Sequence, residues 1–81
     1  MTTYTLYVKT KGAFESSKPS QREVARALGV NVSSVSRALR NEGMKHAAMQ
    51  ARILSLLKNV PVQRRSTYAG AYVEHKWVMG S

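Results

Sequence analysis

Ser20-Gln-Arg-Glu-Val-Ala-Arg-Ala-Leu-Gly29-Val-Asn-Val-Ser-Ser-Val-Ser-Arg-Ala-Leu39 is the stretch from which the fold of this 81-residue chain is read. Ser20 and Glu23 have the spacing of a capping box, in which the serine hydroxyl accepts from the glutamate amide and the glutamate reaches back. Pro19, just before it, fits a helix entrance. Val24, Ala25 and Leu28 then share one face, and Gly29 supplies the stop. Asn31 is the expected N-cap of a second short helix, in which Val35, Ala38 and Leu39 recur at helical spacing and which Gly43 closes. Two short helices that cross steeply need a small residue where they touch and a residue free to take positive φ in the turn. Ala25 and Gly29, four positions apart, meet both needs, and Val35, six positions after the glycine, anchors the second helix on the first. The rest of the second helix includes Ser33, Ser34, Ser36, Arg37 and Arg40, small or basic as a groove-reading face requires. The pattern predicts a helix-turn-helix over residues 20–42.

Outward from this motif, a third helix is expected over residues 45–60, with Met49, Ile53, Leu56, Leu57 and Val60 as its apolar stripe and Pro61 beyond its end. Its methionines read as core filler. At the N-terminus Tyr4, Leu6 and Val8 alternate with Thr5, Tyr7 and Lys9. This period of two in β-branched and aromatic residues predicts a strand over 1–12, ended by Lys11-Gly12. Residues 13–19 read as a connection with at most one helical turn. After Pro61, residues 62–67 carry Arg64-Arg65, and 66–79 return to strand composition, with Val73, His75, Trp77 and Met79 on one face and Gly70 marking a turn or bulge. The expectation is a single α+β domain, mainly helical: a three-helix core flanked by an N-terminal strand and one or more C-terminal strands. The terminal strands would pair within a subunit or across a dimer.

Thirteen Lys and Arg stand against four glutamates, a net charge of +9, which points to a polyanionic partner. Forty-three per cent hydrophobic residues suit a folded domain rather than a disordered chain. No apolar run approaches the roughly 18 residues of a spanning helix, and no signal-peptide layout opens the chain, so a cytoplasmic protein is expected. The inventory argues against an enzyme. Paired carboxylates are missing, since Glu15 and Glu23 lie eight positions apart, and no Gly-rich phosphate loop occurs. His46 and His75 lack zinc-motif spacing, and there is no cysteine. No cofactor or metal is expected.

The residues Val24-Ala25-x-x-x-Gly29-Val30, followed by Ser33-Ser34-Val35-Ser36-Arg37-Ala38-Leu39, resemble the DNA-binding headpiece of the lactose-repressor (LacI) family, whose usual form is VAxxAGVSxxTVSRVLN. The following helix, with Gln50-Ala-Arg-Ile-Leu-Ser-Leu-Leu, is similar to that family's next helix. The resemblance covers residues 20–60. It stops there: a large sugar-binding core and a hinge helix are missing, so induction by a small molecule is not implied. Small phage or plasmid repressors of the Cro type, which flank such helices with strands and dimerise through them, are the closer architectural analogy. Carried over position by position, the resemblance implies that Val32, Ser33 and Arg37 face base edges and that Ser20, Ser34 and Ser36 contact phosphate. A guanidinium meets guanine O6 and N7 bidentately, for about 1–3 kcal/mol of discrimination, which makes Arg37 the leading residue.

Gln21 and Arg22 open the first helix, where they position a phosphate or simply form a solvated turn. Arg40 and Lys45 add backbone attraction. Arg64 and Arg65 form a DNA-binding arm or a polar turn. Tyr4, Tyr7, Tyr68, Tyr72 and Trp77 read as core or dimer packing ahead of base-stacking platforms. Together these point to a homodimeric repressor that reads a palindromic operator with a recognition helix over 32–41 in the major groove of duplex DNA. The alternative is an architectural, excisionase-like protein that bends DNA with little base readout. RNA is disfavoured because its A-form major groove is too narrow for side-chain readout, and a membrane surface because the third helix's apolar face is needed inside.

Overall fold

The computed structural model describes residues 1–80, apart from the side chains of Ala69 and Glu74. In chain order its elements are α1 (Thr3–Ser17), α2 (Gln21–Leu28), α3 (Val32–Arg40), α4 (Met44–Lys58), β1 (Val62–Ala69) and β2 (Tyr72–Met79). The fold is mainly helical α+β. α2 begins at Ser20, whose Oγ accepts from the Glu23 amide at 3.0 Å, so the serine half of the capping box is formed. It ends at Gly29, which takes φ 69°, a left-handed conformation that costs glycine little and any other residue more. Residues 29–31 then turn the chain into α3. Asn31 occupies the N-cap of α3 without a side-chain capping bond, and Asn41, rather than Gly43, ends that helix. Gly43, at φ 114°, opens α4.

The N-terminal expectation is overturned. Residues 3–17 form a helix, not a strand followed by a connection, and the helix runs straight through Gly12. Thr2 caps it, accepting from the Thr5 amide at 3.2 Å. The physical reason lies in which residues are buried: Leu6, Thr10 and Ala13, spaced by four and three, form the inward stripe. A threonine and an alanine hide that stripe from a hydrophobicity reading. The alternating Tyr4 and Val8, which suggest a strand, are exposed on the helix surface. Tertiary packing of the small stripe overrides the β propensity of Thr, Tyr and Val.

The C-terminal strands form a two-stranded antiparallel hairpin whose register runs from Val62↔Met79 to Ala69↔Tyr72. Gly70, at φ 64°, sits in the connecting turn. Strand structure therefore starts at Val62, four residues earlier than expected, and Arg64-Arg65 lie within β1 rather than in a turn or a free arm. With α1 helical, terminal strand pairing shrinks to one residue. The Met1 amine donates to the Trp77 carbonyl, and the Met1 carbonyl accepts from the Trp77 amide at 2.9 Å.

Two apolar clusters share α4. Val24, Ala25, Val35, Ala38, Leu39 and Ile53 seal α2 and α3 onto it, and Leu6, Ala13, Ala47, Ala51, Leu54 and Trp77 seal α1 and the hairpin base. Leu57 packs against both. A buried polar thread crosses between them. Thr10 Oγ1 donates to the Gln50 carbonyl, while Gln50 Nε2 donates to the carbonyls of Ala38 at 2.9 Å and Asn41 at 2.7 Å. Among the described residues no helix is long and apolar enough to cross a membrane.

Candidate nucleic-acid interface

The geometry of α3 follows from its buried stripe. Val35, Ala38 and Leu39 face inward against Val24, Ala25 and Ile53, which turns Val32, Ser33, Arg37 and Arg40 outward. Val32, at 42% exposure, is an apolar side chain left in water at the first turn, as contact with a thymine methyl would require. Ser36 is half-buried on the same side, and its carbonyl accepts from Arg40 Nε at 3.3 Å, which steers that guanidinium along the helix. Asn41 Nδ2 donates to the Arg37 carbonyl at 2.9 Å and closes the helix end. All three base-facing candidates, Val32, Ser33 and Arg37, are thus exposed, with Val32 at the edge of the buried stripe.

The phosphate candidates divide. Ser34, half-buried, lines with Arg37, Lys45, His46 and Met49 a cleft of about 370 Å³ between α3 and the start of α4, so Lys45 joins the α3 surface. Ser20, Gln21 and Arg22 gather at the first turn of α2, with Arg22 exposed and Gln21 half-buried. The Ser20 hydroxyl already accepts from the Glu23 amide, so it would meet a phosphate as a donor. Arg64 and Arg65 lie apart from this group, on the hairpin.

Among the aromatic residues Trp77 alone is buried, and Phe14 packs half-buried against the α2–α3 cluster. Tyr68 and Tyr72, expected to be packed, are exposed near the hairpin tip, and Tyr4 is exposed on α1. Gln50 is a residue that sequence reasoning misses. It is fully buried, its amide clamps the C-terminal carbonyls of α3, and its Oε1 has no partner. A glutamine flanked by apolar positions, one turn before Leu54, is the signal that could have marked it. Among the described residues no group of His, Cys, Asp or Glu is arranged to hold a metal. No family model matches the chain, and neither a curated protein nor a solved structure matches it.

Proposed function

We propose that this chain is a non-enzymatic, sequence-specific duplex-DNA-binding repressor that acts in the cytoplasm as a homodimer on a palindromic operator. The observation that carries the reading is the outer face of α3: Val32, Ser33, Arg37 and Arg40 stand exposed on a nine-residue helix whose opposite side is buried against α2 and α4. A helix held from behind by a crossing partner is what a major groove about 12 Å wide accepts. The net charge of +9 supplies the sequence-independent attraction, and the resemblance of residues 20–60 to the lactose-repressor headpiece supports the same assignment of residues. Arg37 reads guanine; Val32 and Ser33 meet neighbouring base edges; Ser20, Gln21, Arg22, Ser34, Ser36, Arg40 and Lys45 hold the phosphates on either side. Repression is steric, by occupation of a promoter. The N-terminal strand first expected to share in carrying the dimer is a helix, α1.

The test is selection from a random duplex library at roughly physiological salt with excess competitor, because low-salt binding of so basic a protein carries no sequence information. A two-fold symmetric motif is expected. The same selection with Arg37→Ala should lose the preference at one position of each half-site while keeping much of the salt-sensitive affinity. A pool without enrichment, from a chain that still binds at low salt, would replace base readout by the architectural reading.

A further inference from the structure

The hairpin makes no contact in the DNA-binding reading, and among the described residues its outer half is exposed from Gln63 to Tyr68 and from Gly70 to Val73. Val62, Trp77 and Met79 fasten its base to the cluster formed with α1 and α4. Residues 63–67 are exposed, and near the tip Tyr68 is 81% and Tyr72 65% exposed. An eight-residue strand reaches about 26 Å, and a ribbon of two strands with nothing packed behind it is marginal in water. Its rungs also set Arg65 opposite Lys76. Glu74 is the hairpin's one acid.

Arg64 lines a cavity with Met44, Ala48 and Arg52 of α4, and Lys45 and His46 of the same helix line the cleft with Arg37. The first turns of α4 thus contribute to both. Arg64 and Arg65, as successive strand residues, point to opposite faces of the ribbon.

We propose that the hairpin is a second duplex-DNA contact, a β-ribbon lying along the groove that flanks the base pairs faced by α3, with Arg64 and Arg65 each neutralising a phosphate on one of the two backbones that wall it. The proposal rests on the DNA-binding reading. The charge selects this occupant over a second copy of the chain, because β1-to-β1 pairing would gather Arg64 and Arg65 of both subunits on neighbouring rungs. Charged edge residues oppose such pairing. It also selects duplex over single strand: Tyr68 pairs with Val73 and Tyr72 with Ala69, so the two rings lie on opposite faces and build no continuous stacking platform.

The experiment is a salt titration of binding to a long random-sequence duplex, followed by fluorescence anisotropy, for the full chain and for Arg64→Gln/Arg65→Gln. Each phosphate left without its cation lowers the slope of log K against log salt by about 0.9, so the double variant should show a slope about 1.8 shallower for each protomer bound. Both side chains are exposed, and thermal melting should be unchanged. An unchanged slope overturns the proposal. So does a dimer that dissociates in sedimentation equilibrium while the slope stays, which would place the hairpin between subunits, or a loss confined to single-stranded DNA. Arg37→Ala separates the two readings. If that variant keeps the parent's sequence preference, α3 is not the reader, whereas the slope of the double variant reports on the hairpin alone.

Discussion

The α2–α3 pair and the α1–hairpin half are built on adjoining faces of one helix, and they use their residues differently. In α2 and α3 the strongly apolar stripe residues go inward, and the outer face is left to serine and arginine with Glu23, Ala27 and one valine. In α1 the inward stripe includes a threonine and an alanine, while Tyr4 and Val8 stay in water. The first half thus separates packing from surface chemistry, and its surface can be read as a site. The second half mixes them, and the duplex contact proposed for it lies on the hairpin, where charge rather than pattern is the signal.

The contrast is most vulnerable at Val35, which is fully buried at the centre of the α2–α3 cluster. Val35→Asp places an unpaired carboxylate there, and the cost of several kcal/mol approaches the whole stability of a domain this small. The expected outcome is loss of the cooperative thermal transition by circular dichroism. A variant that melts like the parent would remove this cluster as the core of the motif.

A milder pair of substitutions asks whether the halves are one folding unit. Ile53 and Leu54 are neighbours on α4, yet Ile53 fills the α2–α3 cluster and Leu54 the α1–hairpin cluster. Ile53→Ala and Leu54→Ala should each cost about 2–5 kcal/mol. Because Leu57 touches both clusters and Gln50 threads between them, each variant should still unfold in a single transition seen alike by far-ultraviolet dichroism and Trp77 fluorescence. Separate transitions in Leu54→Ala would show that the α2–α3 pair keeps its structure without its neighbour.

The same contrast explains what is legible in the sequence. The limits of α2 and the start of α3 are readable because a capping serine, a glycine in the turn and apolar residues at helical spacing all agree there, whereas the end of α3, expected at Gly43, falls at Asn41. The candidate surface on α3 follows directly, since fixing Val35, Ala38 and Leu39 inward leaves Val32, Ser33 and Arg37 outward. α1 is not readable: the alternation of Tyr4, Leu6 and Val8 mimics a strand, and the contacts that decide against it are made by Thr10 and Ala13 to residues about 40 positions away, as the Thr10 bond to Gln50 illustrates. The hairpin is half-legible. Its strand composition and Gly70 are visible, but the pairing that carries Arg64 and Arg65 into β1 depends on Val62 docking beside Trp77 and Met79, which no local signal encodes.

Gln50 tests the seam between the two halves. Gln50→Leu keeps the volume but strips the donors from the carbonyls of Ala38 and Asn41. Leaving such acceptors unsatisfied costs about 1–3 kcal/mol, moderated here because the unpartnered Oε1 is removed as well. Amide exchange should quicken at Arg40 and Asn41 more than in α2, since the missing bonds hold the end of α3. Uniform acceleration across the chain would instead mean that the glutamine stabilises the whole fold and does not position that helix.

The smallest effect distinguishes the caps. Ser20 and Thr2 each accept from the amide three residues on, at 3.0 and 3.2 Å, one opening α2 and the other α1. Ser20→Ala and Thr2→Ala should each cost about 1 kcal/mol in thermal unfolding, as N-cap losses do. They should part in DNA binding. Ser20 lies beside Gln21 and Arg22 on the proposed phosphate surface, so its loss weakens affinity beyond the change in folded fraction, whereas Thr2 caps a helix outside that surface and its variant should bind like the parent. Equal affinities for the two variants, at equal melting shifts, would confine Ser20 to capping and leave the first turn of α2 to Gln21 and Arg22.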